Sequence, residues 1–194
     1  MSLSARFAVP QDAPALLDIY RAYIATTITF EYDLPDEAEF ARRMTDVQRR
    51  GLPYLVLEQE GRPVGYAYAH PLFSRAAYQW DVELTVYLSP AVSGRGAGPR
   101  LYTLLLDLLR LQGVRTAYAL VTDPNPASQK MHRALGFSLM GTLRRTGYKN
   151  GQWLDVSWFE KRLNPFTEAP EAVRAISALD EEAVIALLAR AFQA

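Results

Sequence analysis

The sequence predicts an α/β fold of the α+β type, built around a mixed sheet. Runs of strand-forming residues alternate along the 194-residue chain with stretches whose apolar residues recur at helical spacing. Turn signals at Glu60-Gly61 and Asn150-Gly151 join neighbouring strand runs as hairpins. In the middle of the chain, a strand, a leucine-rich helix and a second strand follow one another, which indicates a crossover connection.

The first half of the chain predicts two helices and four strands. Asp12 can cap the first helix, in which Pro14 falls in the first turn, where its missing N–H costs little. An apolar stripe supports that helix, formed by Leu16, Leu17, Tyr20 and Ile24. A second helix is predicted from about Asp36 to Arg49 and ends near Gly51. The predicted strands are Ala5 to Val9, Tyr54 to Gln59, Pro63 to Ala69 and Trp80 to Leu88.

The second half predicts two more helices, three strands and a tail. The helices run from Pro99 to Leu111 and from Ser128 to Leu135. The strands are Val114 to Val121, Phe137 to Leu143 and Trp153 to Leu163. Pro165 and Pro170 then suggest a linker, after which Asp180 caps an amphipathic helix through Phe192. We therefore expect one domain over residues 1–164 and, over 165–194, a linker and a helix that packs on the domain or on a partner subunit.

Composition excludes several classes of function. The 21 basic residues balance the 21 acidic ones, which gives no reason to expect nucleic acid or an anionic membrane as partner. No apolar run approaches the ~20 residues of a membrane span, and the first residues lack a signal-peptide pattern, so we expect a cytoplasmic protein. The absence of cysteine rules out disulfides and thiolate nucleophiles, and two histidines argue against a metal site.

A glycine-rich loop stands between the fourth strand and the leucine-rich helix. Its sequence is Ala-Val-Ser-Gly-Arg-Gly-Ala-Gly-Pro-Arg, over residues 91–100. Small residues after a strand let successive N–H groups converge, and the next helix adds unpaired N–H groups and a positive dipole end, which together suit a phosphate. The two common phosphate-loop motifs are absent. On the glycines alone, a flexible loop fits equally well.

The strand before this loop carries a polar face. Strict alternation places one set of side chains on one side and an apolar set on the other. The polar set consists of Asp81, Glu83, Thr85 and Tyr87. It is either a solvated outer face or, in a sheet covered by helices on both sides, the wall of a cleft.

A prolyl loop and a short helix follow the next strand, and with them a resemblance becomes plain. Seven blocks carry it: Val82 to Leu88, Gly96 to Gly98, Leu101-Tyr102, His132 to Phe137, Gly141 to Arg144, Gly147 to Lys149, and Trp153 with Asp155. Together these blocks resemble the cofactor-binding core of the GNAT superfamily of acetyl-CoA-dependent N-acetyltransferases, and within it the phosphinothricin and methionine sulfoximine/sulfone acetyltransferases. The resemblance covers roughly Arg6 to Leu163.

The resemblance implies the GNAT acyl-CoA N-acyltransferase fold and an acetyl-CoA site. The central sheet would have helices on both faces and splay at the strand holding Val86, Tyr87 and Leu88, whose backbone pairs with the pantetheine arm. Asn125 would hydrogen-bond the pantetheine amides, with Ser128 assisting. The pyrophosphate would lie on the N–H groups of Gly94, Arg95, Gly96, Ala97 and Gly98, where Arg95 adds charge. The family's glycine motif usually opens with Gln or Arg; Ser93 stands there instead, which we expect to weaken cofactor affinity.

The reaction implied by the resemblance needs a base. An α-amine is mostly protonated at neutral pH and must lose a proton before it attacks a thioester. Glu83 matches the family's carboxylate position, and we predict that it is the general base; the alternative is a structural role. Asp81 on the same face either raises the pKa of Glu83 by repulsion or is a surface residue. His132, where relatives often place a tyrosine, either donates to the departing thiolate or is structural. No covalent intermediate is required.

The resemblance also implies an acceptor. We expect a small amino acid analogue of the phosphinothricin or methionine sulfoximine/sulfone type. Its anionic group would meet Arg75, otherwise an exposed loop residue, between walls formed by Phe30 and Tyr32. Acetyl-CoA is the expected co-substrate, no metal is expected, and analogy predicts a homodimer. The alternatives are acetylation of protein N-termini or polyamines, and a non-catalytic acyl-CoA-binding module.

Overall fold

A computed structural model describes residues 2–193 and contains a seven-stranded mixed sheet in the order β1-β2-β3-β4-β5-β7-β6. All neighbouring strands are antiparallel except β4 and β5, which are parallel, as the predicted crossover requires. The strands are β1 Leu3–Phe7, β2 Tyr54–Gln59, β3 Arg62–Pro71, β4 Asp81–Leu88, β5 Thr116–Asp123, β6 Ser138–Lys149 and β7 Gln152–Arg162.

The predicted helices are all present, with shifted ends. They are α1 Ala13–Ile24, α2 Glu37–Arg49, α3 Ala97–Gln112, α4 Pro126–Ala134 and α5 Glu181–Arg190. Helix α3 begins two residues earlier than predicted, because Gly96 takes the N-cap position with a left-handed φ of 81°. Pro99 still falls in the first turn, where no intrahelical bond needs its N–H.

The first strand ends earlier than predicted because Asp12 binds the chain just before α1. Its carboxylate accepts the N–H of Val9 at 2.8 Å and two guanidinium bonds from Arg6 at 2.7 Å each. Asp12 therefore stands at the N-cap of α1, as predicted, but its side chain caps no helical N–H. The Arg6 guanidinium, as the largest cause, holds the pKa of Asp12 below its usual range.

Both predicted hairpins have the expected turn chemistry. Glu60 and Gly61 have φ values of 52° and 76°, and Asn150 and Gly151 have values of 50° and 76°. Two successive left-handed residues match the twist of the flanking strands. Strand β6 continues well past Leu143, because its ladder with β7 resumes after two register shifts. The second hairpin therefore projects farther than the sequence predicts.

A large part of the core lies between α3 and the middle of the sheet, and α1 and α2 add buried side chains to the same cluster. Five leucines at helical spacing form a stripe on α3 and are at most 2% exposed: Leu101, Leu104, Leu105, Leu108 and Leu109. The helix packs on β2, β3 and β4. Burying one such side chain stabilises a fold by about 1.5–3 kcal/mol. This packing fixes β3 and β4, the two strands that carry the site.

The tail packs on its own chain. Helix α5 contacts α3 and β1, and Asp180 caps it by accepting the N–H of Ala183 at 3.2 Å, as predicted. The indole N–H of Trp80 donates to the carbonyl of Glu171 at 2.8 Å. The tail helix was expected to pack either on the domain or on a partner subunit, and in the structure it packs on the domain of its own chain. Within residues 2–193, no helix has the length and apolarity to cross a membrane.

Candidate active site

The central feature of the site is the divergence of β4 and β5. Their parallel ladder consists of the pairs Asp81↔Thr116, Val82↔Ala117 and Glu83↔Tyr118. Beyond it, β4 stays paired with β3 as far as Leu88, while β5 stays paired with β7 as far as Asp123. The two strands separate after Glu83, which therefore lies at the vertex of a V-shaped opening.

A cavity of about 430 Å³, here called the cleft, fills this opening. Both diverging strands line it, together with α3, α4, β6 and the segment after α1. It brings together seven of the predicted site residues: Phe30, Glu83, Val86, Tyr87, Asn125, Ser128 and His132. Glu83, Thr85 and Tyr87 of the predicted polar face of β4 line the cleft, whereas Asp81 lies outside its lining.

The glycine loop lies at the end of β4. The N–H groups of Val92 and Ser93 both donate to the carbonyl of Ser89, at 3.1 and 3.2 Å. Gly94 and Gly96 have left-handed φ values of 75° and 81°, which side chains rarely adopt. A Cβ on Gly98 would lie 3.1 Å from Leu88 Cδ1, so glycine lets α3 begin close to the strand. The loop and the unpaired N–H groups of the first turn form the type of concavity that binds anions.

Tyr23 of α1 contacts the strand predicted to hold the cofactor, which sequence reasoning missed. Its hydroxyl donates to the carbonyl of Leu88 at 2.6 Å, and the N–H of Leu88 lies 3.3 Å from the same oxygen. Of the three strand residues predicted to hold pantetheine, Leu88 thus has backbone groups bound to Tyr23, whereas Val86 and Tyr87 line the cleft. The one available signal was an aromatic residue next to the apolar stripe of α1.

Glu83 combines burial with access. Its side chain is 23% exposed, and burial raises the pKa of its carboxyl. The sequence suggested repulsion by Asp81 as a cause, but burial accounts for the rise in the pKa of Glu83, and the charge of His70 acts in the opposite direction by lowering that pKa. Burial likewise raises the pKa of Asp81, which the Thr116 hydroxyl partly offsets.

His132 is enclosed and hydrogen-bonded at both ring nitrogens. It is 3% exposed; Nδ1 lies 2.8 Å from the carbonyl of Ser128, and Nε2 lies 3.0 Å from the hydroxyl of Tyr102. A carbonyl only accepts, so Nδ1 carries the hydrogen and Nε2 accepts from Tyr102. Burial lowers the pKa of His132, which keeps the ring neutral at pH 7. The imidazole thus holds the phenol of Tyr102, which lines the cleft.

Tyr102 was missed as a functional residue. It is 1% exposed, and burial raises the pKa of its phenol well above the usual value, so the hydroxyl keeps its proton. In the sequence it reads as one more buried position of the leucine-rich helix. The available signal was a polar tip where the pattern asks only for an apolar side chain.

The structure places the three predicted acceptor residues in different surroundings. Phe30 lines the cleft and packs against the second hairpin, where a Cβ on Gly147 would lie 2.3 Å from its ring. Tyr32 is 64% exposed, and its hydroxyl donates to the carbonyl of Tyr148. Arg75 is exposed in the loop between β3 and β4. Neither Tyr32 nor Arg75 lines the cleft.

A second cavity of about 550 Å³, here called the tyrosine cavity, adjoins the first. Five tyrosines line it: Tyr20, Tyr54, Tyr66, Tyr68 and Tyr87. Arg43, Glu31, Phe73, Ser74 and His70 line it as well. The rings of Tyr54 and Tyr68 stack at 4.8 Å. Tyr87 borders both cavities, and His70 stands opposite Glu83 in the sheet, so the cavities adjoin at the vertex of the V.

Comparison with known proteins decides the family. The acetyltransferase (GNAT) domain matches residues 6–158 of this chain. The chain belongs to the GNAT acetyltransferase family. A phosphinothricin N-acetyltransferase from Streptomyces viridochromogenes is 40% identical over 157 residues, covering 80% of this chain and 85% of the relative. An L-methionine sulfoximine/L-methionine sulfone acetyltransferase from Pseudomonas aeruginosa is 31% identical over 172 residues, covering 88% and 100%.

Solved structures agree with this GNAT assignment. A phosphinothricin acetyltransferase from Sinorhizobium meliloti, in complex with acetyl-CoA, superposes with a TM-score of 0.82 at 36% identity, covering 88% of this chain and 96% of that one. A putative acetyltransferase from Salmonella typhimurium, with acetyl-CoA, gives 0.84 at 31% identity, covering 89% and 99%. The predicted resemblance and fold are confirmed. Within residues 2–193, no group of three or more His, Asp or Glu residues could hold a metal ion.

Proposed function

We propose that this GNAT acetyltransferase moves an acetyl group from acetyl-CoA to the α-amino group of a small amino acid analogue of the phosphinothricin or methionine sulfoximine/sulfone type. One observation carries the proposal: β4 and β5 separate at Glu83, which places a half-buried carboxylate at the vertex of a cleft. The named activities of the relatives, at 31–40% identity, support the class of acceptor.

The residues of the cleft suit acetyl-CoA, which would supply an activated acetyl thioester. Val86 and Tyr87 offer a strand edge beyond the last β4–β5 pair, whereas the backbone N–H and carbonyl of Leu88, the third residue predicted to hold pantetheine, are bound to the Tyr23 hydroxyl. The N–H groups of Gly94 to Gly98 would hold the pyrophosphate, beside the guanidinium of Arg95. Asn125 Oδ1 already accepts the N–H of Ser128 at 3.2 Å, so its amide N–H₂ is the group left for pantetheine.

Glu83 would act as the general base. The acceptor's ammonium N–H bond breaks as the proton moves to the Glu83 carboxylate, directly or through a water, and the freed lone pair attacks in a direct transfer. A carboxyl whose pKa is raised by burial is a stronger base than an exposed one. The group stays reachable because the cleft opens at this residue.

We propose that His132 acts by orienting Tyr102. Its Nδ1 hydrogen faces the Ser128 carbonyl and its Nε2 accepts from Tyr102, so the neutral ring has no hydrogen directed at the cleft. As charge develops on the leaving sulfur, the single O–H of Tyr102 would turn from His132 Nε2 to donate to that sulfur. This assigns the donor role, first considered for His132, to the residue that His132 holds.

For the acceptor, Phe30 would form one wall of the cleft. Arg75 and Tyr32 remain predicted acceptor residues from the family resemblance, since both lie outside the cleft lining in the structure. Arg75 follows Phe73 and Ser74, which do line the tyrosine cavity. An acceptor that bridges the two cavities at Glu83 would approach this loop.

A calorimetric and kinetic screen tests the proposal. Purified protein is titrated with coenzyme A and acetyl-CoA, then assayed for turnover with methionine sulfone, methionine sulfoximine, phosphinothricin, common amino acids, spermidine and short peptides. We expect cofactor binding and the highest kcat/KM with one of the three analogues. A preference for spermidine or peptides would favour the alternative acceptors. Binding without turnover would favour a non-catalytic module, and no binding of either cofactor form would overturn the proposal.

We also propose a homodimer, in a cytoplasmic protein whose domain ends near Asn164. Edge strand β6, with the second hairpin, presents apolar side chains that are each 47–61% exposed: Leu139, Met140, Leu143, Tyr148 and Trp153. Such a patch marks an interface more often than a solvated surface. Light scattering coupled to size-exclusion chromatography should give a molar mass twice that of one chain for the wild type and that of one chain for Leu139→Asp. A monomeric wild type would refute the dimer.

A further inference from the structure

His70 and Glu83 face each other across the antiparallel pair β3–β4. They are direct partners in the register, so their side chains leave the same face of the sheet a few ångströms apart. His70 Nε2 lies 3.6 Å from Glu83 Oε2. His70 lines the tyrosine cavity and Glu83 lines the cleft. The pair therefore connects the two cavities at the vertex of the V.

The hydrogen on the His70 ring can be assigned from its neighbours. Nδ1 lies 3.1 Å from the carbonyl of Pro71, which can only accept, so Nδ1 carries a hydrogen. In a neutral imidazole, Nε2 is then an acceptor, and its lone pair faces a carboxylate oxygen that also accepts. Two acceptors in this arrangement are stabilised when they share one additional proton. A proton taken up by Glu83 thus has a second site next to it.

Several other ionisable side chains surround the pair. Tyr68 of β3 and Tyr102 of α3 face Glu83, and burial raises the pKa of both phenols. Asp81 precedes Glu83 on β4, and His132 of α4 lines the cleft as a neutral ring. Across the tyrosine cavity, the Arg43 guanidinium is paired with Glu31. Of these groups, His70 is the one whose charge acts on Glu83, lowering the carboxyl pKa against the effect of burial.

We propose that His70 is the second proton acceptor of this site: it takes from Glu83 the proton that the carboxylate removes from the acceptor amine, and releases it through the tyrosine cavity. First the ammonium N–H bond breaks and an O–H bond forms at Glu83. That bond then breaks as an N–H bond forms at His70 Nε2, giving an imidazolium. Water in the tyrosine cavity takes one proton from the ring, whose side chain is 35% exposed. The carboxylate is regenerated for the next turnover.

This inference rests on the proposed function, and it assigns a role that acts through Glu83 rather than on the substrate. It also gives the tyrosine cavity a function, since the cavity provides the path for the released proton. A merely structural His70 would affect folding or cofactor affinity without moving the titration of Glu83. The test therefore measures that titration directly.

The first experiment follows the ¹³C signal of the Glu83 carboxyl through a pH titration of the full chain, assigned by its loss in Glu83→Gln. His70→Gln keeps a hydrogen-bonding side chain but removes the titrating ring. We expect the Glu83 titration midpoint to move to higher pH in His70→Gln, because the positive charge that favours the carboxylate is gone. An unchanged midpoint in a folded variant would overturn the inference. If His70→Gln does not fold, His70→Asn serves the same comparison.

The second experiment uses rates. In His70→Gln, kcat/KM should fall about tenfold at pH 6.5 and less than about twofold at pH 9, because the acidic limb moves upward with the base. The same substitution in a Glu83→Gln background should have little further effect, since residues acting as a unit are not additive. Equal losses in both backgrounds would overturn the relay. A wild type that acetylates no amine would instead refute the proposed function, and the carboxyl titration would still decide the coupling.

Discussion

The two ends of β4 show how one strand serves as both scaffold and binding edge. Over Asp81–Glu83 it is hydrogen-bonded to β3 and β5, and Val82 is 1% exposed. Over the four residues that follow, it has β3 on one side and the cleft on the other. Polar and apolar residues alternate along the whole strand, at both ends. The difference arises because β5 follows β7 and leaves β4.

The boundary between the two ends is where the chemistry becomes possible. A carboxylate wholly within the closed end would lack access, and one at the far end would be solvated with an ordinary pKa. Glu83 is buried enough to have its pKa raised and open enough to reach a substrate. Four substitutions test whether the closed end supplies stability and the open end supplies function.

Glu83→Gln, at the vertex, should have the largest effect. We expect kcat/KM at pH 7 to fall by about 10²–10⁴-fold, the usual contribution of a general base, while the Kd of acetyl-CoA changes less than about twofold. In the wild type, activity should fall as the pH drops through the raised pKa of Glu83, because a protonated carboxyl accepts no proton. The variant should lose that dependence on Glu83. Its rate should still partly recover at high pH, because more of the acceptor amine is then already deprotonated. Initial rates across pH 5.5–9 and calorimetry measure both; unchanged rates would remove Glu83 from the mechanism.

Tyr102→Phe, on α3 where it lines the cleft beside the open end of β4, should have the next largest effect. Removing the hydroxyl should lower kcat by about 10–100-fold, as expected for a lost donor to a developing charge. It also leaves His132 Nε2 buried without its partner, which should lower the free energy of unfolding by about 1–3 kcal/mol. Pre-steady-state rates and urea unfolding separate the two effects. A variant that is less stable but catalytically normal would make the Tyr102–His132 pair structural.

Gly96→Ala tests the glycine loop against a matched control. Gly96 and Gly61 both have left-handed φ values, 81° and 76°, and neither would bring a Cβ within 4 Å of another atom. Alanine at either position should cost about 1 kcal/mol of stability. Only Gly96→Ala should also raise the Kd of coenzyme A, by about 5–10-fold. An alanine at position 96 is strained at a left-handed φ, and the backbone shift that relieves this strain turns the N–H groups of the glycine loop away from the diphosphate. Equal Kd values for the two variants would place the diphosphate elsewhere.

Asp81→Asn, in the closed end, should have the smallest effect. Burial raises the pKa of Asp81 above its unfolded value, so its ionised form lowers stability as the pH rises through the folded pKa. The neutral amide removes that cost. We expect the free energy of unfolding at pH 7 to increase by less than about 0.5 kcal/mol and kcat/KM to stay within about twofold of the wild-type value. Urea unfolding at pH 4 and pH 7 measures it. A large loss of rate would show that the closed end takes part in catalysis.

Much of the fold and part of the site could be predicted because their signals are local. The hairpin turns, the capped tail helix, the leucine stripe of α3 and the alternation of β4 depend on residues within a few positions of each other. Glu83 and the glycine loop belong to such patterns. The shift of β1 was not predictable, because it depends on the two hydrogen bonds from the Arg6 guanidinium to the Asp12 carboxylate rather than on strand propensity.

The sequence by itself determined which segments form strands and helices, which strand carries the carboxylate and which loop has the glycines. Only the tertiary structure decided which side chains meet. Tyr102 and His132 are separated by 30 residues and Tyr23 and Leu88 by 65, and His70 reaches Glu83 through strand register. Local preference acts over a turn or two of chain, whereas register, packing and the point where β4 and β5 part depend on the whole assembled core.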